Sequence, residues 1–237
     1  YSWTGLNCYW AIPFVVICMG LMAWVIFKLI VRPLIGSDDT SFILVTLGLS
    51  YFLQNLAEFV FGADPKSVPS DIKTASIFIG DYSIGIPRLI AFVVMVILVL
   101  GVYLLLNKTT LGRAMRATSE KREVAQMLGI NTKKTFTIAF MIGVIFAGLS
   151  GLLITPIYYV TPTSGAMFRT TAYIAVIIGG LGDIKGALIG GLAIGIIEAL
   201  VTGMISNDLG PVGVCVALLI VLYLRPQGFF GKGERQA

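Results

Sequence analysis

Not one histidine occurs in these 237 residues. Imidazole is the one side chain that titrates near neutrality unperturbed, so His-based acid–base chemistry and His metal ligands are excluded. Charge is scarce too. Asp, Glu, Lys and Arg make up 12% of the chain, about half the ~25% of a soluble domain. Cysteine is limited to Cys8, Cys18 and Cys215. The odd count, with two of them inside apolar runs, reads as small hydrophobes in helices rather than a disulfide or metal framework. There is no G-x-x-x-x-G-K-[ST] phosphate loop and no nucleophile elbow, so the chain does not grip ATP by that device and carries no enzyme constellation. No solenoid repeat or low-complexity tract is present.

What fills the chain is apolar. Hydrophobic residues make up 57% of it, and the mean hydropathy is +0.93. With so little charge, most of the surface must face lipid. Glycine is abundant at 27 residues, as suits helices that approach closely in a membrane. A bilayer core of about 30 Å needs roughly 20 apolar residues as helix. Residues 10–31 form one such run, ended by Arg32-Pro33; 41–61, 88–106 (opened by Pro87) and 135–155 (stopped by Pro156) form three more. A short run, 211–224, closes before Arg225-Pro226. The expected fold is all-α, a single polytopic membrane domain over residues 1–237. It has about five full spans plus a broken or re-entrant helix pair in 171–203. No run precedes a signal-peptidase-like site, so none reads as a cleaved signal. Tyr1 is not a start Met, and the chain reads as a processed or trimmed form of something longer.

Orientation follows from the basic residues. With residues 107–134 in the cytoplasm, that side holds Lys28, Arg32, Lys108, Arg113, Arg116, Lys121, Arg122, Lys133, Lys134, Arg225, Lys232 and Arg235. The outer side holds Lys66, Lys73, Arg88 and Arg169. Twelve against four puts the C-terminus inside. One-sided, juxtamembrane charge of this kind needs no nucleic-acid partner. A single straight span over 171–203 would put the C-terminal tail outside, so this segment must go in and come back. The glycines of Gly179-Gly180-Leu181-Gly182-Asp183-Ile184-Lys185-Gly186 suggest a half-helix at 171–181, a bend at 182–186 and a longer helix at 187–203. A plain short cytoplasmic turn between two thin-bilayer spans is the alternative. The outer loop 62–87, with Asp64, Lys66, Asp71, Lys73 and Asp81, is long for a connection and reads either as a small external cap or as a solvated loop.

Polar groups within spans are functional candidates, because each is costly in hydrocarbon. Thr46, Ser50, Gln54 and Glu58 recur every four residues, with Asn55 beside them, which lays a polar stripe along one helix face. Gln54, Asn55 and Glu58 are pathway candidates, with interhelical hydrogen bonding the competing role for Gln54 and Asn55 and interfacial water for Glu58. Glu198 follows Gly191 and Gly195 and serves either structure or pathway. Gly179, Gly180, Gly182 and Asp183 at the bend are pathway candidates as well. Gly143-Ala147-Gly151, Gly186-Gly190 and Gly191-Gly195 read as close helix–helix contacts.

The insert between the third and fourth runs is the most specific feature. It reads NKTTLGRAMRATSEKREVAQMLGINTKK over 107–134, basic and helix-prone. Ser119 is positioned to cap a helix, Glu120 and Glu123 suit its first turn, and Gly129 suits a left-handed stop. Ala125, Met127 and Leu128 would give that helix an apolar surface, which a solvated helix does not need and a docked one does.

The block 112–131 resembles the cytoplasmic loop of permeases of the branched-chain amino-acid ABC transporter family. Glu123-Val124-Ala125 with Gly129 matches the E-A-A-x-x-x-G coupling motif, Val124 standing at its second position. Arg32-Pro33-Leu34, Thr46-Leu47-Gly48-Leu49-Ser50, Gly179-Gly180-Leu181-Gly182, Gly186-Ala187 and Arg225-Pro226-Gln227-Gly228 extend the resemblance over about residues 28–231. Family members usually begin with a further Gly-rich apolar segment, absent here, so one or two N-terminal helices of the pore are expected to be missing. The resemblance implies a permease of the inner or plasma membrane that works as half of a two-permease pore. It implies two cytoplasmic ATP-binding subunits, a second permease (identical or homologous) and an external solute-binding protein. Coupling would run through Arg113, Arg116, Glu120, Glu123, Ala125 and Gly129. This chain would bind no cofactor, and ATP would be hydrolysed by the partner subunits. Leu, Ile or Val is the implied substrate, with urea or short amides the alternative. An ATP-independent channel or secondary transporter is the reading from another class. The scarcity of intramembrane ionisable groups weighs against it: Glu58, Asp183, Lys185 and Glu198 are the candidates for ion coupling.

Overall fold

The first apolar run is helical to its end and beyond it in the computed structural model, which describes residues 11–34, 38–66, 76–79, 82–180, 182–206, 209–225 and 228–229. Helix α1, Ile12–Ile26, passes through a π-helical turn, Phe27–Val31, into the short α2, Arg32–Leu34. The Arg32-Pro33 stop expected from sequence is therefore not a stop. Proline lacks an N–H and its ring collides with the carbonyl four residues back. The wider π turn, closed by the Arg32 amide donating to Phe27 O, accommodates that collision without ending the helix. Of the sequence expectations, those resting on Cys8, Asp71, Lys73, Asp81, Leu181, Pro226, Gln227, Lys232 and Arg235 lie outside the described residues.

The chain divides into two compact units, Tyr1–Pro162 and Thr163–Ala237. In the first, α3 (Asp39–Phe61), α4 (Ile86–Lys108) and α7 (Thr132–Ile154) follow the apolar runs within a few residues. Pro87 opens α4, where a missing N–H is harmless. The α1 region packs antiparallel on α7. Gly20, Ala23, Phe27 and Val31 are buried, a stripe at 3–4–4 spacing that repeats once per helical turn. Phe27 meets Phe140 with ring centroids 5.6 Å apart, and Gly20 lies against Ile145. On α7 it is Gly148, against Met19, that makes the close approach. The expected Gly143-Ala147-Gly151 stripe is exposed instead, and nothing lies within 4 Å of a side chain added at Gly143 or Gly151. The loop after α3 contains a hairpin, β1 (Ser76–Ile79) and β2 (Tyr82–Gly85), antiparallel with Ser76 opposite Gly85. Lys66 also pairs with Val160, amide to carbonyl in both directions at 3.0 and 2.9 Å. That pairing ties the loop after α3 to the loop after α7, as the orientation argument requires of two segments on one side.

In the second unit, α8 (Ser164–Gly179), α9 (Ile184–Met204) and α10 (Gly210–Leu224) surround a core of Ile174, Ile178, Ile194 and Val214. The interruption of 171–203 is real but sits at 180–183, and its first arm starts at Ser164 rather than at 171. At 1.5 Å per residue α8 reaches about 24 Å and α9 about 31 Å, so one arm spans a bilayer core and the other stops short. A side chain at Gly179 would strike the backbone of Gly186 and Ala187, and one at Gly190 the backbone of Ala175 and Gly179. These pairs run in opposite directions along the two helices, so α8 and α9 are antiparallel neighbours. The Gly186–Gly190 spacing therefore marks the contact, while Gly191 and Gly195 face open space. Among the described residues, five helices are long and apolar enough to cross a membrane.

Candidate functional site

The loop between α4 and α7 folds as two short helices, α5 (Thr110–Glu120) and α6 (Arg122–Met127). Thr109 caps α5: its Oγ1 accepts from the Gly112 amide at 3.0 Å. Gly112 is buried against the backbone of Leu105 and Leu106, which any side chain there would meet. Ser119 was expected to cap the second helix and does not. It lies in the last turn of α5, its hydroxyl donating to Arg116 O at 2.9 Å, and Lys121 stands at the N-cap of α6 without a side-chain bond. Thr109, the cap of α5, carries the signal of a hydroxyl residue ahead of a helix-forming block.

The exit from α6 is a Schellman turn. Ile130 N–H donates to Ala125 O and Gly129 N–H to Gln126 O, both at 3.0 Å. Gly129 has φ +79°, the left-handed conformation this turn demands. Asn131 then caps α7, accepting from the Lys134 amide at 3.0 Å, and Gln126 donates to the Thr132 hydroxyl at 2.9 Å. The loop is thus anchored at both ends.

Its surface differs from the expectation in one respect. Ala125 is 2% exposed and turned inward, so it packs the loop rather than presenting it. The outward apolar patch is Val124, Met127 and Leu128, the last two 86% and 74% exposed. Glu120, Glu123 and Arg113 are exposed on the same two helices. Arg116 donates to the Asn107 side chain at 3.0 Å, which fixes it to the end of α4.

On α3, Thr46, Leu49, Ser50, Leu53, Gln54 and Ala57 are half-buried, and Thr40 and the other residues from Ser41 to Phe61 are exposed. Thr46, Ser50 and Gln54 of the polar stripe thus lie on the less exposed face. Thr46 donates back to Phe42 O and Ile43 O. Asn55, off the stripe and exposed, donates one N–H to Tyr51 O of its own helix at 2.8 Å. Glu58 is exposed near the end of α3.

At the bend between α8 and α9, Asp183 caps α9, its carboxylate accepting from the Lys185 amide at 2.8 Å. Gly179 and Gly180 are buried, and Gly182 is exposed. The C-terminal segment returns to this point, unforeseen from the sequence. The Phe229 amide donates to Ile178 O at 2.9 Å, satisfying a carbonyl that the helix end leaves open, and Gly228 seats against Ile177 O and Gly180. Glu198 is half-buried beside Gly210, its side chain at the α9–α10 contact. The structure thus brings Gly179, Gly180, Asp183 and Gly228 together at one bend of the second unit.

The family described as branched-chain amino acid transport system / permease component matches residues 2–224. Among curated proteins, the chain is 32% identical to a probable branched-chain amino acid transport permease protein LivH of Methanocaldococcus jannaschii over 248 residues. That match covers 96% of this chain and 76% of the relative. It is 29% identical to the high-affinity branched-chain amino acid transport system permease protein LivH of Escherichia coli K12, covering 92% of this chain and 73% of the relative. It is 30% identical to the corresponding BraD protein of Pseudomonas aeruginosa, covering 86% and 68%. No solved structure gives a significant match.

Proposed function

The chain belongs to the permease family of branched-chain amino acid transport systems, and from that premise we propose that it is a pore-forming subunit of an ATP-driven importer for Leu, Ile and Val. The observation that carries the coupling half of this reading is the loop. A solvated connection does not need two helices, side-chain caps at Thr109 and Asn131, a glycine-locked stop and three outward apolar side chains. Val124, Met127 and Leu128 are the contact surface for a separate ATPase subunit. Glu120, Glu123 and Arg113 form the polar rim, and the Schellman turn at Gly129 with inward Ala125 holds the surface in place. Arg116 braces α5 against α4, the first membrane helix to receive the push. Two ATPase subunits, a second permease and an external solute-binding protein complete the machine. ATP is hydrolysed by the partner, and the loop and C-terminus lie in the cytoplasm.

For the pathway, the half-buried polar residues of α3, Gln54 among them, are the candidate wall. The α8–α9 bend with Gly179, Gly180, Gly182 and Asp183 is the candidate moving part, and Glu198 braces α9 on α10. Glu58, the last residue of that stripe, and Asn55 beside it are exposed. The direct test is co-purification of the tagged permease with its ATPase subunit. Met127→Arg/Leu128→Arg is expected to abolish recovery of the ATPase while the permease stays in the membrane fraction. Full recovery with that variant would remove the loop from the coupling role.

A further inference from the structure

Four basic side chains, Lys28, Arg32, Arg122 and Lys133, together with Pro33, line one open cavity of about 380 Å³. Among the described residues no Asp or Glu lines it. Its position follows from the fold. Lys28 lies in the π turn and Arg32 begins α2, at the end of the apolar helix Ile12–Leu34. Lys133 lies in the first turn of α7, at the start of the apolar helix Thr132–Ile154, and Arg122 begins α6 just before it. Because α1 and α7 are antiparallel, these two ends coincide. The cavity therefore sits where two membrane helices meet water.

Two of the cations are already held. The Lys28 ammonium lies 4.8 Å from the Trp24 ring centroid, and the Arg122 guanidinium 5.6 Å from that of Phe136. Ring faces orient a cation without neutralising it. Four like charges around one space repel one another, and the relief is an anion. Guanidinium and ammonium groups together suit phosphate, Arg by its forked donors and Lys as a point charge. Trp24, Val25 and Leu29, exposed within about a turn of Lys28 on the same helix end, supply an apolar flank beside the charges. A soluble phosphate has no use for that flank, and an acyl chain does. The geometry points to a binding site for the phosphate headgroup of an anionic phospholipid, its chains lying along the exposed flank of α1.

The test uses native mass spectrometry of the full chain released from detergent, with phosphatidylglycerol or phosphatidylcholine supplied in equal amounts. Wild-type protein is expected to retain phosphatidylglycerol preferentially. Lys28→Gln/Arg32→Gln/Lys133→Gln should lower that retention by about fivefold for each charge removed. A charge-matched control, Lys108→Gln/Lys121→Gln/Lys134→Gln, should retain it as wild type does. If the triple variant does not fold, Lys133→Gln alone should show the single step. Equal retention by wild type and either cavity variant overturns the site. Displacement of the lipid by millimolar inorganic phosphate, beyond that caused by sodium chloride of equal ionic strength, overturns the lipid as occupant. Loss of ATPase co-purification in the cavity variant with phosphatidylglycerol retention unchanged marks a protein-docking face instead, and overturns it too.

Discussion

Ala125 and Met127 are two residues apart in one short helix, yet one is 2% exposed and the other 86%. Substituting each by arginine therefore asks two different questions. Ala125→Arg forces a charge into a packed position, a buried unpaired charge of the kind that destabilises severely. The expected outcome is a lowered melting temperature and poor recovery of folded protein. Met127→Arg places the same charge in water, where surface changes are usually within about 0.5 kcal/mol. It should leave melting unchanged and still remove ATPase binding. Thermal unfolding in detergent, run beside co-purification, separates the two; equal melting of both variants would contradict the inward placement of Ala125. Gly129, at φ +79°, asks for a third variant. A β-branched residue there is strained by about 1–3 kcal/mol, so Gly129→Val should loosen the end of α6 and weaken coupling without blocking membrane insertion.

Among the elements, the α8–α9 hairpin depends on which glycines touch. Gly190 lies against Ala175 and Gly179, and its neighbour Gly191 faces open space. Gly190→Val is expected to lower stability by about 1–3 kcal/mol through overpacking, while Gly191→Ala should be neutral or slightly stabilising, since it replaces the poorer helix former. Melting temperatures of the two variants check this, and equal effects would contradict the antiparallel register. The helices themselves were legible in the sequence because an apolar run of bilayer length has few alternatives, and the break at 180–183 because glycines crowd it. The details were less so. Small residues at four-residue spacing mark a face, not which face is used. Gly148 and not Gly143 or Gly151 meets α1, because the buried stripe Gly20–Ala23–Phe27–Val31 sets the register from the other helix. The return of Gly228 and Phe229 to the end of α8 is a long-range contact without a local signature. So is the π turn, a compromise between Pro33 and the lipid-length run that continues through it. Of the candidate site, Gly129 was readable as a left-handed stop because only glycine reaches that conformation freely. Ser119 misled because a hydroxyl residue inside a helix end bonds back to the preceding turn as readily as it caps the next.

At the scale of the whole chain, the Lys66–Val160 pairing ties the loops after α3 and α7 to one side, and the excess of basic residues elsewhere predicts that side to be the outer one. In a variant with Cys8, Cys18 and Cys215 replaced by alanine, a cysteine at exposed Asp64 should react with a membrane-impermeant maleimide in intact cells. One at exposed Ser119 should react only after the membrane is opened. The opposite pattern would invert the topology and take the loop away from any cytoplasmic ATPase.

Coupling of this permease to ATP hydrolysis during amino-acid import is proposed to run through the α5–α6 loop. The most direct measurement is uptake of radiolabelled leucine into proteoliposomes holding the permeases, with solute-binding protein on one side and ATPase subunits and ATP on the other. Uptake is expected to require ATP and ATPase subunit alike, and to fall to background in Met127→Arg/Leu128→Arg while the protein remains inserted. Leucine uptake that persists without the ATPase subunits, or that is untouched by the loop variant, would contradict it.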